Sequence, residues 1–394
     1  MALISEEFPP FMFGGISTVC YDLAHSLSKK GIDTTVFCGR SNRPTLERLD
    51  DHLEIARLPC LDIPPRFLWF QLQNFLNLTK QLKDHTLIHA VNPQVSQMCI
   101  YLKKKLNKPL VTSYHGVPAY DLEAFINSPT PCWTLGDFAY QVLEYPLNDN
   151  FTRASLKKSD YVVSCSNTTL DELRSIYGRP CPNNSSVIYN GINFERIERI
   201  QNSFPKERDC ENLTLIYNGR LYWHKGITYL IKAFELLIHD FPNLNLKVFG
   251  TGPLSNKIRA LVSTLGLKDR VFILGYVESH DQLLSEVMKA DVAVFPSLRE
   301  AQPMSVLEAM AFRKPVVVFD LPFAREYVKD HYNGLLAKPK DPEDLANKIG
   351  ILISDEKLRH QLGQNAHVHV KQHHNWASLV DKYVEIYNRV TNNC

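Results

Sequence analysis

Apolar positions along the chain alternate between two periods. Short β-branched or apolar runs predict strands at Ala2–Ser5, Thr34–Cys38, His52–Leu58, Thr86–Val91, Pro109–Tyr114, Tyr161–Cys165 and Ser186–Tyr189. Between them the period lengthens. Ile16, Val19, Cys20, Leu23, Ala24 and Leu27 mark one face of a helix spanning Gly14 to Lys30. Leu68–Leu82 and Gln94–Leu106 are further helical candidates. Strand-then-helix alternation predicts a parallel, doubly wound sheet with helices on both faces.

The rhythm breaks over 194–212, where Glu195, Arg196, Glu198, Arg199, Lys206, Glu207 and Arg208 crowd together, and this stretch reads as a linker. It then restarts. Leu213–Asn218, Leu244–Phe249, Val271–Leu274, Val292–Pro296 and Val316–Phe319 are strand-like. Helical segments at Ile227–His239, Leu254–Leu265, Gln282–Met288 and Met304–Phe312 separate them. The expected organisation is an α/β fold of two Rossmann-like domains facing a central cleft, over 1–200 and 201–374. A late stripe (Trp376, Leu379, Val380, Tyr383, Val384, Tyr387) predicts a final helix, and 375–394 is expected to pack back on the first domain.

Composition narrows the classes. A length of 394 residues suits two domains. Lys and Arg number 44 against 42 Asp and Glu, too balanced to suggest nucleic acid as a partner. Nine scattered cysteines without a C-x-x-C pair suggest a reducing compartment. No run of about 18 apolar residues predicts a membrane span, and residues 1–10 carry no basic leader region. The expected location is the cytoplasm.

Ligands of open parallel sheets bind beyond the carboxyl ends of the strands, and three segments there carry chemistry. The first strand runs into Gly14-Gly15, which opens a helix and lets backbone approach an anion. Asn218-Gly219-Arg220-Leu221-Tyr222-Trp223-His224-Lys225-Gly226 leads a later strand into its helix. Two cations at a helix N-terminus oppose the dipole, so an anion is expected between Arg220 and Lys225; a diphosphate suits them. The third segment, Glu300-Ala301-Gln302-Pro303-Met304-Ser305-Val306-Leu307-Glu308, places one carboxylate at the mouth of a helix and another just over a turn inside. They lie on different stripes and are expected to touch different parts of one extended ligand. His367, His369, His373 and His374 are expected on a helix surface and in a loop, with no metal bound. Arg66 to Leu76 is rich in large apolar residues and is followed by Lys80, Lys83 and Lys103 to Lys105. It reads either as a core-facing helix with a solvated basic turn, which we expect, or as a membrane-surface patch.

Taken together, these segments resemble the retaining GT-B glycosyltransferases of family 4 over essentially the whole chain. Asn190-Gly191-Ile192-Asn193 is similar to that family's end of its first domain, and Gly275-Tyr276-Val277 to its nucleotide-base loop. The resemblance implies a GT-B fold and transfer of a hexose from a nucleotide-diphosphate sugar, such as a UDP-sugar, to a lipid-linked, glycan or small-molecule acceptor. It implies Arg220 and Lys225 on the diphosphate, Glu300 on sugar hydroxyls, Glu308 on the ribose, and Gly14 and Gly15 at the phosphate and sugar. Val277 would border the base, the amides of Met304, Ser305 and Val306 would face phosphate, and His115 would lie near the transferred sugar. Ala301-Gln302-Pro303 departs from the family's Gly-Phe-Gly. The chain has no Asp-x-Asp, so neither metal nor cofactor is expected; the sugar nucleotide is a substrate. Peripheral attachment at the inner membrane face would suit a lipid-linked acceptor. The rival readings are a GT-B nucleotide-sugar epimerase and a non-catalytic two-domain sugar or nucleotide binding protein.

Overall fold

Strand content follows from runs that are apolar on both faces. The computed structural model describes residues 1–10, 15–41, 44–63, 65–119, 144–178, 184–204 and 212–392. The chain forms two compact units. The first comprises Met1–Phe125, Leu135–Gly191 and Trp376–Cys394, and the second is built on Ile192–Asn375.

The first unit contains β1 (Ala2–Ile4), β2 (Thr34–Ser41), β3 (Thr45–Asp50), β4 (Leu53–Pro59), β5 (Ile88–Ala90), β6 (Leu110–Tyr114), β7 (Tyr161–Ser164) and β8 (Ser185–Val187). They form one sheet in the order β3-β4-β2-β1-β5-β6-β7-β8. All pairings are parallel except β3 on β4. Its helices are α1 (Gly15–Lys29), α2 (Arg66–Gln81), α3 (Ser96–Leu106), α4 (Tyr145–Lys158) and α5 (Asn167–Tyr177). β1, β5, β6 and β7 are buried along their whole length, as strands covered on both faces must be.

The second unit holds α6 (Phe194–Ser203), β9 (Leu213–Asn218), α7 (Ile227–Asp240), β10 (Leu244–Phe249), α8 (Ser255–Thr264), β11 (Val271–Gly275), α9 (His280–Lys289), β12 (Val292–Phe295), α10 (Met304–Ala311), β13 (Val316–Phe319), β14 (Leu335–Ala337), α11 (Pro342–Ser354) and α12 (Glu356–His373). Its sheet is wholly parallel in the order β11-β10-β9-β12-β13-β14. α13 (Trp376–Asn392) returns to the first unit. There Lys30 pairs with Asp381 at 2.6 Å, and the Tyr387 hydroxyl lies 2.8 Å from Nδ1 of buried His89.

The structure corrects the linker reading over 194–203. That stretch is α6, with Phe194, Ile197 and Ile200 buried in the second unit's core. Its charges face outward, and Arg196 and Arg199 converge on Asp281 at 2.6 and 2.8 Å. An apolar residue every third position was hidden among four charges. Residues 205–211 lie outside the described residues.

Two further elements escaped the pattern for the same reason. β3 reads Thr-Leu-Glu-Arg-Leu-Asp and is exposed throughout, an edge strand held by pairing with β4, by Glu47 on Arg57 at 3.0 Å and by Asp50 on the Ser28 hydroxyl. α4 buries Asn148, Thr152 and Ser155 beside Leu156, so its inner face is polar in sequence.

Burial also governs protonation. His89 is enclosed in the first unit, with Nε2 2.8 Å from the Ser113 hydroxyl. Burial lowers its pKa to about 3. A histidine neutral in the fold and titratable in the unfolded chain contributes stability above pH 6.5 that is lost as pH falls towards its folded value. We therefore expect stability to fall below pH 6.5 by up to about 1.4 kcal/mol per pH unit for each such proton, and the thermal midpoint to drop with it between pH 7 and pH 5. His89 should remain neutral by NMR at pH 5; a protonated ring there, or an unchanged midpoint, would contradict this reading.

Candidate functional site

In the second unit the strand order reverses between β9 and β12, and a crevice forms beyond the carboxyl ends of strands at such a reversal. The segments leaving these two strands are the ones singled out by sequence: 218–226 and 296–303.

Close backbone approach locks the two together. Gly226 has φ +69°, and a Cβ there would stand 1.7 Å from the Pro296 carbonyl oxygen. The Leu298 N–H donates to the His224 carbonyl at 2.7 Å. A third loop joins them: Gly250, at φ +121°, would drive a Cβ to 2.0 Å from the Gly219 carbonyl oxygen. The Gly219 and Leu221 N–H groups donate to the carbonyls of Phe249 and Thr251. Glycine is required at both positions by conformation and by space.

On this frame the Lys225 ammonium meets Glu300 Oε1 directly. Both side chains are largely buried, at 18% and 13% exposure. Ser297 donates to the same carboxylate oxygen at 3.0 Å. Burial alone would raise the Glu300 pKa, but the Lys225 charge and hydrogen bond outweigh it and hold the carboxyl below its usual range. Beside the pair, burial and the neighbouring Lys225 charge lower the His224 pKa to about 3, so its ring stays neutral. Arg220 is exposed, its guanidinium 5.1 Å above the Tyr222 ring, and the Tyr217 hydroxyl donates to its carbonyl at 3.1 Å. Lys225 therefore has a carboxylate partner within the protein, while Arg220 presents its charge to solvent.

Glu308 lies on α10, seven residues after Glu300, and takes a separate partner: His280 Nε2 stands 2.9 Å from its Oε1. Met304, Ser305 and Val306 form the first turn of α10 after Pro303, where backbone N–H groups have no helical acceptor. Val277 lies half-buried after β11 and packs against the core. Arg220, Lys225, Glu300, Met304, Ser305, Val306 and Glu308 thus all belong to one unit, with Lys225 and Glu300 in direct contact and Glu308 on His280. His115 and Gly15 belong to the first unit. His115 follows β6, and burial lowers its pKa to about 4. Gly15 is the exposed first residue of α1. Gly14 lies outside the described residues.

Three features were not foreseen. His280 is the first residue of α9, whose N-cap is Ser279. Gln302, at the departure from the family pattern, is buried and its amide lies 3.1 Å from His374 Nδ1. Glu6, past the end of β1 at the first unit's own strand reversal, accepts from Asn92 at 3.1 Å, and burial raises its pKa. The C-terminal histidines need correction too. His369 lies on α12 but is buried rather than on its surface, His374 lies in the loop after α12 as expected and is buried there, and His367 Nδ1 lies 2.7 Å from the Ala311 carbonyl oxygen. Among the described residues, no three His, Cys, Asp or Glu side chains gather as a metal site.

Comparison with known proteins places this two-sheet α/β architecture in a family. Residues 13–196 match the model for Glycosyltransferase Family 4, and residues 198–369 match that for Glycosyl transferases group 1. An uncharacterized glycosyltransferase of Methanocaldococcus jannaschii is 30% identical over 74% of this chain and 71% of its own length. Sucrose-phosphate synthase of Thermosynechococcus elongatus superposes with a TM-score of 0.83 at 22% identity, covering 100% of this chain and 99% of that one. The Anabaena protein HepE in complex with UDP-glucose does so with a TM-score of 0.72 at 18% identity, covering 98% and 99%. The chain belongs to the family 4, group 1 glycosyltransferases and has their GT-B fold.

Breaking one side of a buried ion pair strands the other charge, at a cost of about 3–5 kcal/mol. Lys225→Ala should therefore lower the thermal midpoint at pH 7, and adding Glu300→Gln should recover much of the loss. Equal midpoints for wild type and Lys225→Ala would show that the pair is not formed.

Proposed function

We propose that the protein is a retaining transferase that moves a hexose from a nucleoside-diphosphate sugar to an acceptor hydroxyl without a metal ion. The observation that carries this reading is the Lys225–Glu300 pair at the β9/β12 reversal, beside exposed Arg220 and the open first turn of α10. Arg220 grips the diphosphate bidentately, Lys225 supplies a point charge, and the amides of Met304, Ser305 and Val306 add dipoles. Glu300, already anchored by Lys225 and Ser297, accepts from sugar hydroxyls with its remaining lone pairs. Glu308 accepts from the ribose diol, and His280 fixes its orientation.

In this account the bond between the anomeric carbon and the phosphate oxygen breaks, and a bond to the acceptor oxygen forms on the same face. The acceptor's proton passes to the departing phosphate. No protein nucleophile is required, so catalysis rests on positioning and on charge stabilisation of the leaving group. The family resemblance assigns His115 to the neighbourhood of the transferred sugar and Gly14 and Gly15 to the phosphate. UDP-glucose bound to the HepE structure supports a uridine nucleotide as the first donor to try. A Campylobacter jejuni relative, 31% identical over 52% of this chain, bears the name of a transferase acting on a diphospho-undecaprenol substrate, which supports a lipid-linked acceptor.

Thermal-shift titration with UDP, GDP and ADP should single out one nucleotide, because binding stabilises by RT ln(1 + [L]/Kd). With the matching donor sugar, Arg220→Ala should lower turnover at least tenfold, since charge-assisted hydrogen bonds to a leaving group contribute about 1.5–3 kcal/mol. Full turnover in Arg220→Ala would overturn its assignment. Turnover should persist in EDTA; loss restored by Mg²⁺ or Mn²⁺ would overturn the metal-free mechanism.

A further inference from the structure

α2 of the first unit has an inner face and an outer face of unequal character. Inside, Phe67, Phe70, Gln71, Asn74 and Leu78 are buried. Outside, Leu72 and Leu76 share one stripe, one turn apart, and are 62% and 70% exposed. A solvated helix face is normally polar, so two adjacent bare leucines call for an explanation.

The apolar surface does not stop at the helix. On one flank Gln73 accepts from the Leu61 N–H at 3.1 Å, which brings the exposed side chains of Leu61 and Ile63 to the start of the stripe. On the other, Phe75 stacks on Tyr101 of α3 with ring centroids 4.1 Å apart. Lys105 then lies over the Tyr101 ring at 5.4 Å. The sequence is thus apolar centre, aromatic shoulder, cationic rim.

The rim is more positive than the chain as a whole. Between residues 61 and 108 seven Lys and Arg stand against two Asp and Glu, whereas the whole chain carries a formal charge of only +2. The stretch therefore holds +5 and the remainder of the chain −3. Lys80, Lys83, Lys104 and Lys105 are exposed, and among the described residues none pairs with a carboxylate. Lys103 and Lys108 are held inward instead, Lys103 on Asp160 at 2.6 Å and Lys108 on the Lys83 carbonyl at 2.5 Å.

We propose that this face of α2 and α3 docks on a bilayer surface rich in anionic phospholipid. Leu61, Ile63, Leu72 and Leu76 enter the headgroup boundary while the lysines meet lipid phosphates. Unpaired lysines around a bare apolar centre are the complement of such a surface, which offers both hydrocarbon and negative charge. A second copy of the chain would bring lysine against lysine. Among the described residues no helix is long and apolar enough to cross a membrane, so attachment is by this face. The expectation that the segment is a core-facing helix with a solvated turn therefore describes only its inner half. Docking stands independently of the transferase reading. That the acceptor is lipid-linked rests on both.

Flotation of the full chain with phosphatidylcholine vesicles, with and without 30% phosphatidylglycerol, tests the proposal directly. The protein should float with the anionic vesicles only, and release as salt is raised. Leu72→Glu with Leu76→Glu should lower vesicle binding at least tenfold while the thermal midpoint stays near wild type, because both side chains are exposed. Lys104→Glu with Lys105→Glu should weaken binding through the charge alone. Absence from anionic vesicles, or binding unchanged by either double variant, overturns the proposal. So does concentration-dependent dimerisation that Leu72→Glu with Leu76→Glu abolishes without any vesicle binding. Flotation needs no turnover, so an inactive transferase would not obscure the result.

Discussion

An ammonium and a carboxylate separated by 75 residues meet inside the second unit, and the loops around them are shaped by that meeting. Neither group could remain charged and largely buried alone; the desolvation cost of each is several kcal/mol. Together they tie the segment after β9 to the segment after β12 at the point where the sheet changes direction. Gly226 and Gly250 exist to let backbones come close enough for this. The consequence for chemistry is a charged pair that is rigid before any ligand arrives. Preorganised charge in a dry setting stabilises developing charge without reorganisation.

How far the sequence foretells this depends on what kind of signal each residue emits. Strands buried on both faces announce themselves, and β9, β10, β12 and β13 lie where their apolar runs predict. Glu300 and Glu308 stand out in the sequence as a pair seven residues apart, and in the fold they take different partners, Lys225 and His280. What the sequence concealed were relations between distant segments. Lys225 next to Arg220 suggests one anion between two cations, and nothing local shows that Lys225 already has Glu300. α6 was masked by its charges, and α4 by a buried face of Asn, Thr and Ser. Periodicity finds a core face only when that face is apolar.

A second long-range connection bears on how the site is held. The chain crosses between its two units near Ile192 and again at Asn375. The Ile192 N–H donates to the His374 carbonyl at 2.6 Å, and the His374 ring lies 3.1 Å from the Gln302 amide. Both crossing strands are thereby joined to the loop that carries Glu300. Gln302 stands where the resembled family has Phe, so this chain uses a polar link at that position.

The central claim is that the loops after β9, β10 and β12 and the mouth of α10 form one preorganised nucleoside-diphosphate-sugar site. Hydrogen exchange with and without saturating donor tests it most directly. Slowed exchange should concentrate in the amides of 219–227, 250–255 and 297–308, at the carboxyl ends of the strands, with β14 and α11 unchanged. Protection spread evenly through the second unit, or confined to the opposite ends of its strands, would contradict the account.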